Sequence, residues 1–205
     1  MADETLVRIG HCSPDAPNVD VNVDGDVAFE DVAFETISDY AELPAGRHEV
    51  AITPHGESDA VLETTLELEE NTNYSVLATG MVDDDLQATV LTDEPGVVPD
   101  DQTHVRFVHC SPDAPAVDIR VADGGPTLFE NISFRTASEY TPVDEGTYDI
   151  EAVPTGTDEV TLSLPDTAFE GGTAVSAIAI GRVADDSLTV ILAEDARAAM
   201  PAEDD

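Results

Sequence analysis

The sequence predicts an all-β chain of two tandem immunoglobulin-like antiparallel β-sandwich domains. Three observations carry that expectation. The heptapeptide "HCSPDAP" stands at residues 11–17 and again at 109–115. Apolar residues between turns recur with a period of two, the mark of a half-buried strand. Clusters of Gly, Pro, Asn and Asp interrupt these runs at short intervals.

The repeat extends well beyond the heptapeptide. "LVRIGHCSPDAPNVDVNVDG" aligns with "HVRFVHCSPDAPAVDIRVADG", "FETISDYAELPAGRHEVAITPHG" with "FRTASEYTPVDEGTYDIEAVPTG", and "ATGMVDDDLQATVL" with "AIGRVADDSLTVIL". The offset grows from 98 at His11/His109 to 100 at Gly46/Gly146 and 101 at Gly80/Gly181, as small loop insertions would make it. The expected organisation is a first sandwich over 1–91, a linker over 92–103 ("TDEPGVVPDDQT"), a second sandwich over 104–195 and an acidic tail over 196–205. One large sandwich is the lesser alternative, because each copy carries a complete set of strands.

Within the first copy Val7, Ile9 and His11 share one face, and Arg8 and Cys12 take the other. Val19, Val21 and Val23 alternate with Asp20, Asn22 and Asp24; His48, Val50 and Ile52 alternate with Glu49 and Ala51. Leu62, Thr64, Leu66 and Leu68 continue the pattern, then Tyr74, Val76 and Ala78, then Leu86, Ala88 and Val90. Turns at "VDGD", "LPAG", "PHG" and "VDDD" separate them. About seven short strands per copy, with no helical pattern, fit a small sandwich.

The charge is extreme: 45 Asp plus Glu against 7 basic residues, all arginine, for a net charge of −38. Abundant Val, Leu, Ile and Phe argue against disorder, which needs low apolar content. A folded protein of haloarchaeal type is the better reading. At molar salt the Debye length falls to about 3 Å, and dense carboxylates then keep a protein soluble with little self-repulsion. The same charge argues against nucleic acid and anionic membranes as partners. No stretch approaches the roughly 20 apolar residues of a membrane helix, and "MADETLVRIG" shows no signal-peptide pattern.

At "HCSPDAPNVDV" and "HCSPDAPAVDI" the sequence resembles the domain of unknown function family 4397. That family's hallmark is a His-Ala-Ser-Pro-Asp-Ala-Pro run followed by Val-Asp. "YAELPAGRHEVAITPHG" resembles the Tyr, Pro-Ala-Gly and Pro-x-Gly pattern further along the same domain. The resemblance covers nearly all of both copies, and Cys12 and Cys110 depart from it where Ala is usual. It implies a secreted or surface protein, often in tandem copies, and brings no catalytic residues.

The repeated motif has a sufficient structural reading. Pro14 and Pro112 fix the backbone, and Ser13, Asp15, Ser111 and Asp113 can bond nearby N–H groups, which makes a rigid corner. His11 and His109 lie in phase with apolar residues, and each is expected to be buried and bonded to its own loop. Arg8/Asp20 and Arg106/Asp118 are expected to meet on one outward face, with the corner acting as a wide hairpin. Metal binding is disfavoured, because His and Cys adjacent on a strand point to opposite faces and neither CxxC nor HExxH is present. A disulfide between Cys12 and Cys110 would need Cα atoms within about 7 Å, and hence copies that meet at these corners; two free thiols are expected. The acidic turns at 83–85 and 185–186 could offer oxygen ligands to calcium, but solvated turns are the plainer reading. Ser13 and Ser111 lack the elbow of a nucleophile.

The functional expectation is a non-catalytic tandem β-sandwich without cofactor, a cell-surface or extracellular binding or structural module with a protein or glycan partner. A ligand- or metal-binding sensor using the two His-Cys-Ser-Pro-Asp corners is the alternative. A glycan hydrolase comes third, since paired carboxylates at a set separation cannot be singled out among 45 acids.

Overall fold

The structure, a computed structural model, describes residues 4–195; the tail expected at 196–205 lies outside the described residues. The first repeat contains β1 (Glu4–His11), β2 (Val19–Val23), β3 (Asp26–Val32), β4 (Ala41–Pro44), β5 (Gly46–Pro54), β6 (Leu62–Leu68), β7 (Tyr74–Thr79) and β8 (Gln87–Thr92). The second contains β9 (Gln102–His109), β10 (Val117–Val121), β11 (Thr127–Ile132), β12 (Thr141–Asp144), β13 (Gly146–Pro154), β14 (Leu162–Phe169), β15 (Thr173–Ile180) and β16 (Thr189–Glu194). Among the described residues each copy therefore has eight strands, not about seven. Sequence reasoning reads the stretch around β4 as a turn, because a four-residue edge strand ending in Pro shows too little alternation to be seen. Among the described residues no helix occurs.

Each repeat is a sandwich of two four-stranded sheets: β4-β1-β7-β8 on β3-β2-β5-β6, and β12-β9-β15-β16 on β11-β10-β13-β14. Among the described residues no sheet mixes strands of the two copies. Pairing is antiparallel throughout except for β1 with β7 and β9 with β15. The alternation seen in the sequence fills the cores. Val7, Ile9, Val21, Val50, Ile52 and Val76 are buried in the first, and Val105, Phe107, Ile119, Phe129 and Ile150 in the second.

The central strands of the sheets containing β1 and β9 are buried on both faces along much of their length. All six residues of β7 are buried, which a sheet with one wet face would not allow. The reason is a third apolar cluster between the repeats, where Leu77, Val108, Ile178, Ile180, Cys12 and Cys110 pack together. The two inner sheets thus lie face to face, and the outer sheets face away from them.

This layering overturns the expected Arg8/Asp20 and Arg106/Asp118 pairs. The "SPDAP" corner does not turn back as a hairpin. It carries the chain from inner to outer sheet, so β1 pairs with β4 and β7 while β2 pairs with β3 and β5. Arg8 faces the other repeat, and Asp20 bonds the Asp31 N–H and His55 on the outer sheet. Asp118 likewise takes the Asn131 N–H and the Thr155 hydroxyl.

Candidate functional site

The corners are built alike in both copies. The backbone of His11 bonds Thr36 and Glu35, that of His109 bonds Thr136 and Arg135, and the N–H groups of Cys12 and Cys110 continue the inner sheets to Ala78 and Ala179. Each imidazole is buried. His11 Nε2 donates to the Pro17 carbonyl at 2.9 Å and His109 Nε2 to Pro115 at 3.0 Å. Burial lowers both pKa values, although the carbonyl bonds oppose it. A neutral ring that donates from Nε2 carries a lone pair on Nδ1, and both Nδ1 atoms are buried without a partner. Phe34 and Phe134 meet the rings edge-on.

The other motif residues anchor loops. Ser13 donates to Asp15 at 3.2 Å and Ser111 to Asp113 at 3.5 Å. Asp15 accepts the N–H of Val82, and Asp113 accepts those of Val183 and Ala184, so each corner grips the acidic turn after β7 or β15. Gly80 and Gly181 open these turns at φ +95° and +82°, and a Cβ there would strike the turn's own backbone. Pro14 and Pro112 are half-buried at the bend. His11 faces its own core, whereas Cys12 faces the other repeat. Among the described residues no group of three or more His, Cys, Asp or Glu is placed to hold a metal ion.

Between the repeats lies a buried polar ring that the sequence reading did not find. Arg8 Nε donates to Ser75 at 2.8 Å, Ser75 to Asp93 at 2.7 Å, and Asp93 receives Arg106. Arg106 Nε donates to Ser176 at 2.7 Å, Ser176 to Asp195, and Asp195 receives Arg8. Six side chains from two repeats close one cycle. Tyr40 lies beneath Arg8 and bonds Asp93; Tyr140 lies beneath Arg106 and bonds Asp195. Each guanidinium also reaches across to a strand end, Arg8 to the Glu194 carbonyl and Arg106 to that of Thr92. Arg8 is 2 % exposed and Arg106 3 %, so the ring is sealed from water. Two cations meet two anions there, and both tyrosine hydroxyls and the guanidinium groups end in acceptors, the condition for tolerating buried charge. Burial and the facing carboxylates push the Tyr140 pKa up, against the opposing pull of Arg106. The ring was visible in the sequence as a recurrence: Arg8/Arg106, Tyr40/Tyr140, Ser75/Ser176 and Asp93/Asp195 are equivalent pairs. Asp93 was hidden by its place in the stretch read as linker.

The outer faces differ. On the first repeat two adjoining depressions of about 560 and 450 Å³ run over β2, β5 and β6, sharing Asn22, Gly25, Ala51 and Glu63. Asp20 and Thr53 line one end, and Glu57 and Asp59 border it. His55 bonds Asp20 at 2.8 Å; that bond raises the histidine pKa, and the Asp31 N–H and His55 hold Asp20 below the usual carboxylate range. On the second repeat Arg120 replaces Asn22 and lies between Glu151 at 3.1 Å and Asp158 at 3.3 Å.

The family model for a domain of unknown function (DUF4397) matches residues 5–120 and 121–204, a division that falls inside β10 rather than between the sandwiches. No curated protein matches the chain. Among solved structures, a carbohydrate-binding module of family 26 from Eubacterium rectale Amy13K, in complex with maltoheptaose, is similar over 94% of this chain and 97% of that one. The identity is 9% and the TM-score 0.27, too slight a likeness to carry an argument about ligands. The family match, which spans both sandwiches and indicates no catalytic activity, shows that the chain belongs to the DUF4397 family.

Proposed function

We propose that the chain is a non-catalytic binding module, extracellular or at the cell surface and working at high salt, that takes a basic segment of a protein partner in the groove on its first repeat. The observation that carries the reading is the contrast at one register position. Asn22 stands opposite Ala51, and Arg120 stands opposite Glu151. In the second repeat a guanidinium from the chain itself lies over β10 and β13. In the first, the same face is open and rimmed by Glu49, Glu57, Asp59 and Glu63. An arginine or lysine side chain offers the donors that such acceptors need. The buried ring holds the two sandwiches as one body behind this face. The surface setting is what the family resemblance implies, and the salt preference follows from the net charge of −38.

The test is calorimetric titration of an arginine-rich peptide at high salt, which suppresses long-range attraction. The expected result is a saturable site lost in Asn22→Arg, kept in Glu94→Gln, which changes the net charge equally, and joined by a second site in Arg120→Asn. Equal weakening in Asn22→Arg and Glu94→Gln would reduce the binding to bulk charge and overturn the reading. Binding of a neutral glycan, abolished by Asn22→Arg, would give the groove a different class of ligand.

A further inference from the structure

The chain has two cysteines, one per repeat, at the same place in each heptapeptide. Both are fully buried with free thiols. Each extends its inner strand by one residue, through the bonds from Cys12 N–H to Ala78 and from Cys110 N–H to Ala179. On an inner strand the residue after His11 or His109 points away from its own core. The two inner sheets face each other, so these two side chains converge from opposite repeats into one apolar cluster with Leu77, Val108, Ile178 and Ile180. The neighbouring Cys12 thiol, together with burial, pushes the Cys110 thiol up. The copies thus meet at their corners, as a cross-link between these residues requires.

We propose that Cys12 and Cys110 are a modification site that closes into one disulfide joining the two sandwiches. The co-reactant is a low-molecular-weight disulfide, R–S–S–R. One cysteine thiolate attacks one sulfur of it, forming a mixed disulfide and breaking the reagent's S–S bond; the departing RS– takes up the proton that the cysteine lost and leaves as RSH. The other cysteine then attacks the mixed disulfide, forming the Cys12–Cys110 bond and releasing the second RSH. Two thiols are oxidised and one external disulfide is reduced. Apolar burial closes both groups to solvent, so exchange proceeds during folding or when the repeats part transiently. Closure ties residues across a loop of roughly 100 residues, a constraint that acts on the unfolded chain.

The test exposes the full reduced chain to glutathione disulfide, with and without a urea concentration just below its unfolding midpoint. The readouts are intact mass and thiol titration after denaturation. The expected product loses two hydrogens and carries no glutathione. Its titratable thiols fall from two to none, it migrates faster on a non-reducing denaturing gel, and its urea midpoint rises; dithiothreitol reverses each change. Cys12→Ala and Cys12→Ser should both show none of these changes and instead retain one thiol or one glutathione adduct. Two unmodified thiols after exposure in urea, two glutathione adducts on one chain, or covalent dimers would each overturn the proposal.

Discussion

In the first repeat Gly10 pairs with Ile37, and in the second Val108 pairs with Ala137. A Cβ on Gly10 would run into Leu77 and Ile37, while Val108 is fully buried in the equivalent position. Volume has moved across the pair, and both halves of the interface still close. The outer face shows no such compensation: Asn22 and Ala51 leave a groove, and Arg120 and Glu151 fill it. The polar ring between the repeats differs again, since every member has an identical twin. The three regions obey different physics. Buried charge tolerates no substitution without its partner, buried apolar volume tolerates exchange at constant sum, and a solvated face tolerates anything that leaves its backbone paired.

The sharpest way to break this comparison is to break the ring. Arg106→Met takes from buried Asp93 its cation, whereas Arg8→Met leaves buried Asp195 with the more distant Arg106 at 4.0 Å. Arg106→Met should cost about 3–5 kcal/mol, the usual penalty for an uncompensated buried charge, and Arg8→Met less. Read from urea denaturation, the loss in the double variant should depart from the sum of the two single losses because the six groups act as one network. Additive losses would show that the ring is two independent bridges rather than one cycle. Arg8→Met combined with Asp195→Leu should recover much of the single loss, as apolar replacements of buried pairs do.

A smaller effect tests the exchange of volume. Gly10→Val alone overpacks the interface and should cost about 1–3 kcal/mol. Adding Ile37→Ala copies the arrangement at Val108 and Ala137 and should restore most of that loss in a thermal melt. A double variant no better than Gly10→Val would mean that Leu77, the other neighbour of Gly10, sets the limit.

Much of the sandwich was legible because period-two alternation and turn chemistry are local. Val19, Val21 and Val23 announce β2 and its buried face without reference to any other strand. The burial of His11 was legible in the same way, from its phase with Val7 and Ile9. What could not be read was which sheet each strand joins. The "SPDAP" corner looks the same in sequence whether it folds back within a sheet or crosses to the facing one, and that ambiguity misplaced Arg8 beside Asp20. The docking of the repeats was hidden for a related reason. Ser75 and Arg8 look like the wet side of a half-buried strand, and only the other repeat turns that side into an interior. The groove was illegible because it depends on what Arg120 does in one copy and Asn22 does not.

The smallest effect lies in the cores. In the first repeat Ile9, Val76 and Val90 stand side by side across β1, β7 and β8; in the second the same positions hold Phe107, Ala177 and Leu192. Ile52 likewise becomes Ala152. The larger Phe107 does not fully replace what the two alanines remove, and an apolar cavity of about 30 Å³ remains against Ala152, Ala177, Phe107 and Leu192. At about 24 cal/mol per Å³ of cavity, that void costs about 0.7 kcal/mol. Ala177→Val, which copies Val76, should recover about that amount, seen as a rise in the urea midpoint at unchanged slope. The reverse change in the first repeat, Val76→Ala, should destabilise by more, since it opens a cavity where the neighbouring Ile9 is too small to lean in. A destabilised Ala177→Val would show that the void is too narrow for a branched side chain. Phe107 would then have settled into the space left by the alanines, and the two cores would be balanced by different packings rather than one being underfilled.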